Sequence, residues 1–234
     1  MRVVDVNRIV DLTGELADLP PGHEAWLVHD KSRHADPQEP DETLLKACGS
    51  LGIHCRAQLV LMPPFLDDWA ERGMHAGSSG ACRMVRLCPG PKGHGYPLVD
   101  WVISPLPETC ERENVALAID YQDSGIPWSE VVSFARAYPA VPMIVTGAAV
   151  GEDRTIQAAL PVAPNLVIEL SGLRTGQGLA PLVERFGAHR FVYGSGGRGS
   201  ETRIPRELAP SVLEALVAGT ADAIESGAWR ETYL

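Results

Sequence analysis

Residues able to bind or convert a small molecule recur at the ends of apolar runs. Asp5 and Asn7 close VVDVN (3 to 7), and His29, Asp30 and Lys31 close AWLVHD (25 to 30). Arg86 interrupts CRMVRLCPG (82 to 90), with His94 and Tyr96 in the PKGHGYP segment behind it. Asp120 and Gln122 close VALAIDYQ (115 to 122), Glu169 and Ser171 close NLVIELSG (165 to 172), and Ser195 and Arg198 end the chain's last apolar run, RFVYGSGG and onward. Two arginines can hold a carboxylate or phosphate in charge-assisted hydrogen bonds. Asp120, His94 and Asp5 are the candidate proton carriers, and Asn7, His29, Arg86, Tyr96, Gln122, Ser195 and Arg198 the candidate substrate contacts. Hydrolysis, decarboxylation and isomerisation of a small anionic molecule all suit such a set.

Each residue also has a structural reading. Asp5 can pair with Arg8 or a backbone amide, and HDKSRH can be a solvated loop. A buried arginine needs an anionic partner, so Arg86 contacts either a ligand or, within the chain, Asp120. GSGG lacks the G-x-S-x-G of a nucleophile turn, which leaves Ser195 as a hydrogen-bond donor. The same stretch contains G-x-G-x-x-G at Gly194, Gly196 and Gly199. A dinucleotide site needs those glycines between a strand and a helix, with another parallel strand following. No strand pattern follows Ser200, so the match is accidental, and bare glycine amides suit an anion instead.

These residues must be held by regular elements. Besides the runs already named, RAQLVLMPP (56 to 64) and PMIVTGAA (142 to 149) read as strands, which makes eight. Helical spacing appears in DETLLKACGSLG, FLDDWAERGM, LPETCEREN, PWSEVVSFARAYP, DRTIQAALPVA and LAPLVERFG. Alternation of strand and helix predicts parallel strands with helical crossovers, and eight units predict a small, compact α/β (β/α)8 TIM barrel. An open doubly wound sheet is the alternative. Residues 1 to 234 read as one domain, with 201 to 234 a helical tail that includes IPRELAPSVLEALVAGTADAIESG.

Composition narrows the partners. The chain has 234 residues, 45% hydrophobic and 21% charged, and a net charge of −10. An acidic chain is a poor match for nucleic acid. No apolar stretch approaches the roughly 18 residues of a membrane span, and MRVVDVNRIV reads as a strand and not as a signal peptide, so a cytoplasmic protein is expected. The five cysteines are scattered without a C-x-x-C pair, which predicts free buried thiols. The expected partner is a small anionic molecule. A homo-oligomer is left open, since Trp229 and Tyr233 of the tail can cap the barrel or meet a second protomer.

The order of strand endings resembles the amidohydrolase superfamily, in its branch of metal-dependent hydrolases and decarboxylases. The resemblance rests on VVDVNRI, RMVRLCPGPKGHGYPL, IPWSEVVSFARAYPAVPMIVTGAA, PNLVIELSG and RFVYGSGG, in order over residues 1 to 200. It implies a (β/α)8 barrel and a metal held by an Asp-x-His-x-His motif on the first strand, histidines on the fifth and sixth, and an aspartate on the eighth. In this chain those positions are Asp5, Asn7 and Ile9, then Asp120, Gly147 and Gly196. The family's ligands are lost, so neither a tightly held metal nor any other cofactor is expected, and a cation loosely held by Asp120 and Asn7 is disfavoured. Two functions remain: a metal-independent enzyme acting on a small carboxylate or phosphate, and an inactive homologue serving as a binding protein or partner subunit.

Overall fold

Successive side chains of a strand point to opposite faces, and in a barrel that alternation divides inside from outside. In the computed structural model, which describes residues 3–11, 23–51, 55–63, 82–122, 124–149, 151–172 and 176–196, eight strands are present. They are β1 (Val3–Val10), β2 (His23–His29), β3 (Cys55–Leu61), β4 (Cys82–Leu87), β5 (Ala116–Asp120), β6 (Met143–Thr146), β7 (Leu166–Glu169) and β8 (Phe191–Val192). All seven sequential pairs are parallel. The ends are joined by Val6 N donating to Tyr193 O at 3.1 Å and Gly196 N donating to Asn7 O at 2.9 Å. The strands thus form a nearly closed barrel, as the alternating pattern predicts.

The helices between them are α1 (Gln38–Leu51), α2 (Asp100–Ile103), α3 (Leu106–Glu113), α4 (Trp128–Ala137), α5 (Asp153–Ala159) and α6 (Gly176–Phe186). The helix expected at 65 to 74, the tail at 201 to 234 and Arg198 lie outside the described residues. Leu117, Ile119, Met143, Val145, Leu166 and Ile168 face outward and pack on Val131, Phe134, Ile156, Leu179 and Leu182 of the helices. Their neighbours in sequence face the axis, where Val4, Val6, Trp26, Met84, Ala116, Ala118, Ile144, Val167 and Val192 form a separate core. Trp26 is wholly buried there, and the small Ala116 and Ala118 leave room beside it.

Two features differ from the expected pattern. The eighth run was expected to be strand from 190 to 197, but only Phe191–Val192 pairs with β7. Beyond them Gly196 has φ +60, and a Cβ there would strike the Ser171 side chain. In β1 the register slips between Asp5 and Arg8. A one-residue bulge of this kind re-aims a side chain: Val6 belongs to the axial core, and Asn7 next to it reaches Arg86 on the opposite wall.

Candidate functional site

Above the apolar axial core the inward positions turn polar, at the C-terminal ends of the strands where barrel enzymes work. Arg86 follows Met84 by two residues on β4, so it points along the same inner face, and its side chain is 1% exposed. Its Nη2 donates to Asn7 Oδ1 at 2.9 Å and, with Nε, to Gln58 Oε1 at 2.9 and 3.0 Å. Its Nη1 lies 3.3 Å from Thr146 Oγ1 and 3.5 Å from Asp120 Oδ2. Four strands therefore converge on one guanidinium.

Asp120 is held more tightly by a second arginine. Arg33 Nε donates to Asp120 Oδ2 at 2.6 Å, and both groups are almost entirely buried. Burial pushes the Asp120 carboxyl up, but the charges and hydrogen bonds of Arg33 and Arg86 outweigh it and hold the group below its ordinary range. Arg33 lies in the KSR turn, a short 3-10 helix after β2 (Lys31–Arg33), which also buries Ser32. The HDKSRH segment is not a purely solvated loop: Ser32 Oγ donates to Asp41 at 2.6 Å, and Asp41 accepts the Val60 amide at 2.9 Å.

Glu169 anchors the other side. Its Oε2 accepts from Asn7 Nδ2 at 2.9 Å, Ser171 Oγ at 2.7 Å and the Gly147 amide at 3.1 Å, while Oε1 accepts the Ser171 amide at 2.5 Å. Full burial raises its pKa to about 7 despite those four donors. The approach is close enough that a Cβ at Gly194 would collide with this carboxylate. That collision gives one physical need for glycine in the YGSGG stretch.

Asp5 accepts two amides, Asn7 N at 3.1 Å and Ser195 N at 2.9 Å, and so ties β1 to the loop after β8. Burial raises its pKa, and the Ser195 and Asn7 donors offset part of that rise. His29 Nδ1 accepts the Lys31 amide at 3.2 Å. Burial, with help from Lys31, lowers its pKa and keeps the ring neutral. Tyr96 OH accepts the Cys88 amide at 3.1 Å and pins the 88–96 loop. Gln122 is half-buried and lies against Gly147, where a Cβ would touch its side chain.

Of the sequence candidates, His94 alone lines a cavity of about 500 Å³ formed among the described residues by the loops after β2, β3 and β4. His34, Asp36, Pro37, Met62 and Pro91 complete much of its wall. Both His94 nitrogens are shut off from solvent and make no hydrogen bond of good geometry. Burial lowers the His94 pKa, and the nearby Ser32 and Ala35 carbonyls and the Asp120 charge oppose the fall. Asn7, Arg86 and Asp120 are thus brought together, with Asp5 and Ser195 bracing Asn7, while His94 stands beside that group in a separate cavity wall. Arg33, Gln58, Thr146 and Glu169 complete the network. Gln58 had a usable signal, a polar residue within the apolar RAQLVLMPP run.

The donor set does not suit a catalytic metal. Asn7 Oδ1 faces a guanidinium, Ile9 packs with Val28, Val60 and Cys88, and Gly147 and Gly196 carry no side-chain ligand atom. Of the carboxylates at those positions, Asp5 accepts the Asn7 and Ser195 amides, and Asp120 already faces two arginines. Each unit-charge pair at about 4 Å contributes roughly 4 kcal/mol of repulsion at an effective dielectric of about 20, so a divalent ion there would meet two such terms per unit of its charge. Among the described residues no group of three His, Cys, Asp or Glu is arranged for a metal.

No family model matches the chain, and no curated protein matches it. Solved structures do. A 2,6-dihydroxybenzoate decarboxylase complexed with 2,6-dihydroxybenzoate aligns over 100% of this chain and 99% of its own, at 13% identity and a TM-score of 0.70. An amidohydrolase II structure aligns over 89% and 82%, at 14% identity and TM-score 0.64. A 5-carboxyvanillate decarboxylase from Novosphingobium aromaticivorans, complexed with manganese and a nitrobenzoic acid, aligns over 90% and 77%, at 14% identity and TM-score 0.62. No helix among the described residues is long and apolar enough to cross a membrane. The chain thus shares the (β/α)8 barrel fold of these decarboxylase and amidohydrolase structures.

Proposed function

We propose that this chain binds a small carboxylate at the C-terminal mouth of the barrel and transforms it by hydrolysis, decarboxylation or isomerisation without a tightly bound metal. The observation that carries this reading is His94. Its imidazole is kept neutral by burial, its nitrogens are not committed to a well-formed bond, and it lines a cavity of about 500 Å³. Once the ring turns so that a nitrogen now shut off from solvent faces the cavity, a neutral imidazole can take a proton at one nitrogen and give one from the other. Asp120 is close enough to raise the pKa of His94 and so stabilises the imidazolium that forms. Asp5 positions Asn7, which in turn fixes Arg86.

The substrate class is supported by size and by kinship. Pro37, Met62 and Pro91 give the cavity an apolar side on which a ring can lie. Two of the fold neighbours are decarboxylases of aromatic carboxylates by their names. Arg86 is committed within the protein, so Arg198 is the candidate cation for the substrate carboxylate.

The test uses protein stripped of metal and kept in chelator, offered a panel of aromatic carboxylates beginning with 2,6-dihydroxybenzoate, with product followed by absorbance. Saturable turnover that chelator leaves unchanged, reduced about 100-fold or more in kcat by His94→Asn, is the expected result. Turnover that needs added manganese, or a His94→Asn variant at full rate, would overturn it. A second reading, an inactive binding barrel, is favoured by the internal pairing of Asp5, Asn7, Arg86, Asp120 and Glu169. It predicts saturable binding of a panel carboxylate with no product.

A further inference from the structure

We infer that the Arg86 guanidinium is a built-in cation that takes the place of a divalent metal at the centre of this barrel's polar layer. Its partners are the kind that ligate a hard cation: Asn7 Oδ1 and Gln58 Oε1 at 2.9 Å, Thr146 Oγ1 at 3.3 Å and Asp120 Oδ2 at 3.5 Å. They come from β1, β3, β6 and β5, as ligands of an ion on the barrel axis would. Both amides are turned oxygen-first by donors of their own. Asn7 Nδ2 is fixed on Glu169 at 2.9 Å, and Gln58 Nε2 on the Val6 and Trp26 carbonyls at 2.7 and 2.8 Å. With the amide nitrogens spent elsewhere, only oxygen faces the centre. Asn7 and Asp120 are also two of the positions that the sequence resemblance gives to metal ligands, and both contact the guanidinium. A planar, multidentate cation on β4 thereby holds together walls that a bound ion would otherwise join. The inference stands on these hydrogen bonds and not on the His94 cavity, so either can fail alone.

The experiment titrates metal-free full-length protein with Mn(II) alone, reading free Mn(II) by electron paramagnetic resonance and the thermal midpoint in parallel. Wild type and Arg86→Lys, which keeps a cation in place, are expected to bind no Mn(II). Arg86→Ala is expected to be less stable, to bind one Mn(II) at concentrations where wild type shows no binding, and to regain thermal stability on binding it. Near-stoichiometric Mn(II) on wild type that Asp120→Asn abolishes would overturn the inference, as would a folded Arg86→Ala variant that binds none. Should Arg86→Ala fail to fold, Arg86→Lys decides. A folded, Mn(II)-free lysine variant supports a charge-based cradle, and a lysine variant that fails to fold as the alanine variant does refutes it.

Discussion

Asp120→Asn tests the physics of the polar layer most directly, because it removes a charge and leaves the volume nearly unchanged. In the native protein Asp120 Oδ2 faces Arg33 Nε at 2.6 Å and Arg86 Nη1 at 3.5 Å, with all three side chains almost fully buried. No cavity opens in the variant, so the loss is that of two guanidiniums without their anion. Breaking a buried pair from one side costs about 3–5 kcal/mol. At about 2–4 °C per kcal/mol for a chain of this size, the thermal midpoint should fall by roughly 6–20 °C. Urea unfolding gives the same quantity isothermally. The sign with pH is fixed as well. The folded carboxyl lies below its ordinary value of 3.8, so its contribution is present above that value and is lost as pH falls through the folded one. The gap between wild type and variant should therefore narrow in acid. A double variant with Arg33→Met should be more stable than the sum of the single losses predicts. A variant within about 0.5 kcal/mol of wild type at neutral pH, or strict additivity in the double variant, would refute the account of Asp120 as the anion that neutralises both arginines.

Glu169, raised to about 7 by burial, acts in the opposite sense. The folded state keeps a proton that the unfolded chain has already released, so stability is full below the ordinary value of 4.5 and declines by about 3 kcal/mol as pH rises toward 7. Urea midpoints near pH 5 and pH 7.5 should converge in Glu169→Gln, and an unchanged slope in that variant would exclude Glu169 as its source. Gly196→Ala should cost at least about 2 kcal/mol, because φ is +60 and the new Cβ meets the Ser171 side chain. Adding Ser171→Gly should recover the steric part and leave the backbone part, and a Gly196→Ala variant as stable as wild type would contradict both.

Much of the frame was legible in the chain. Each of the eight apolar runs overlaps an observed strand, and the free buried state of Cys48, Cys55, Cys82, Cys88 and Cys110 follows from their scatter. Arg86 was legible as a buried cation because it breaks an apolar strand, and Asp120 as its internal partner because it closes the next one. Arg33 was not. Nothing local marks the third residue of KSRHAD as buried, since its burial comes from Asp120, 87 positions away. The inward turn of Asn7 was equally hidden, because a bulge is a property of the pairing of β1 with β2 and not of either strand alone.

By itself, then, the amino-acid order determined the alternation of strand and helix and the parallel sense of the sheet, and it placed no histidine at Asn7, Ile9, Asp120 or Gly147. These are local or one-dimensional properties, carried by side-chain period and residue type. Only the tertiary structure decided what stands at the centre of the polar layer. The cradle of Asn7, Gln58, Thr146 and Asp120 about Arg86 draws on strands separated by as many as 139 positions in sequence, and burial there sets both the pairing and the proton affinities. Contact between such distant residues exists only once the barrel closes, which is why no spacing in the chain announces it.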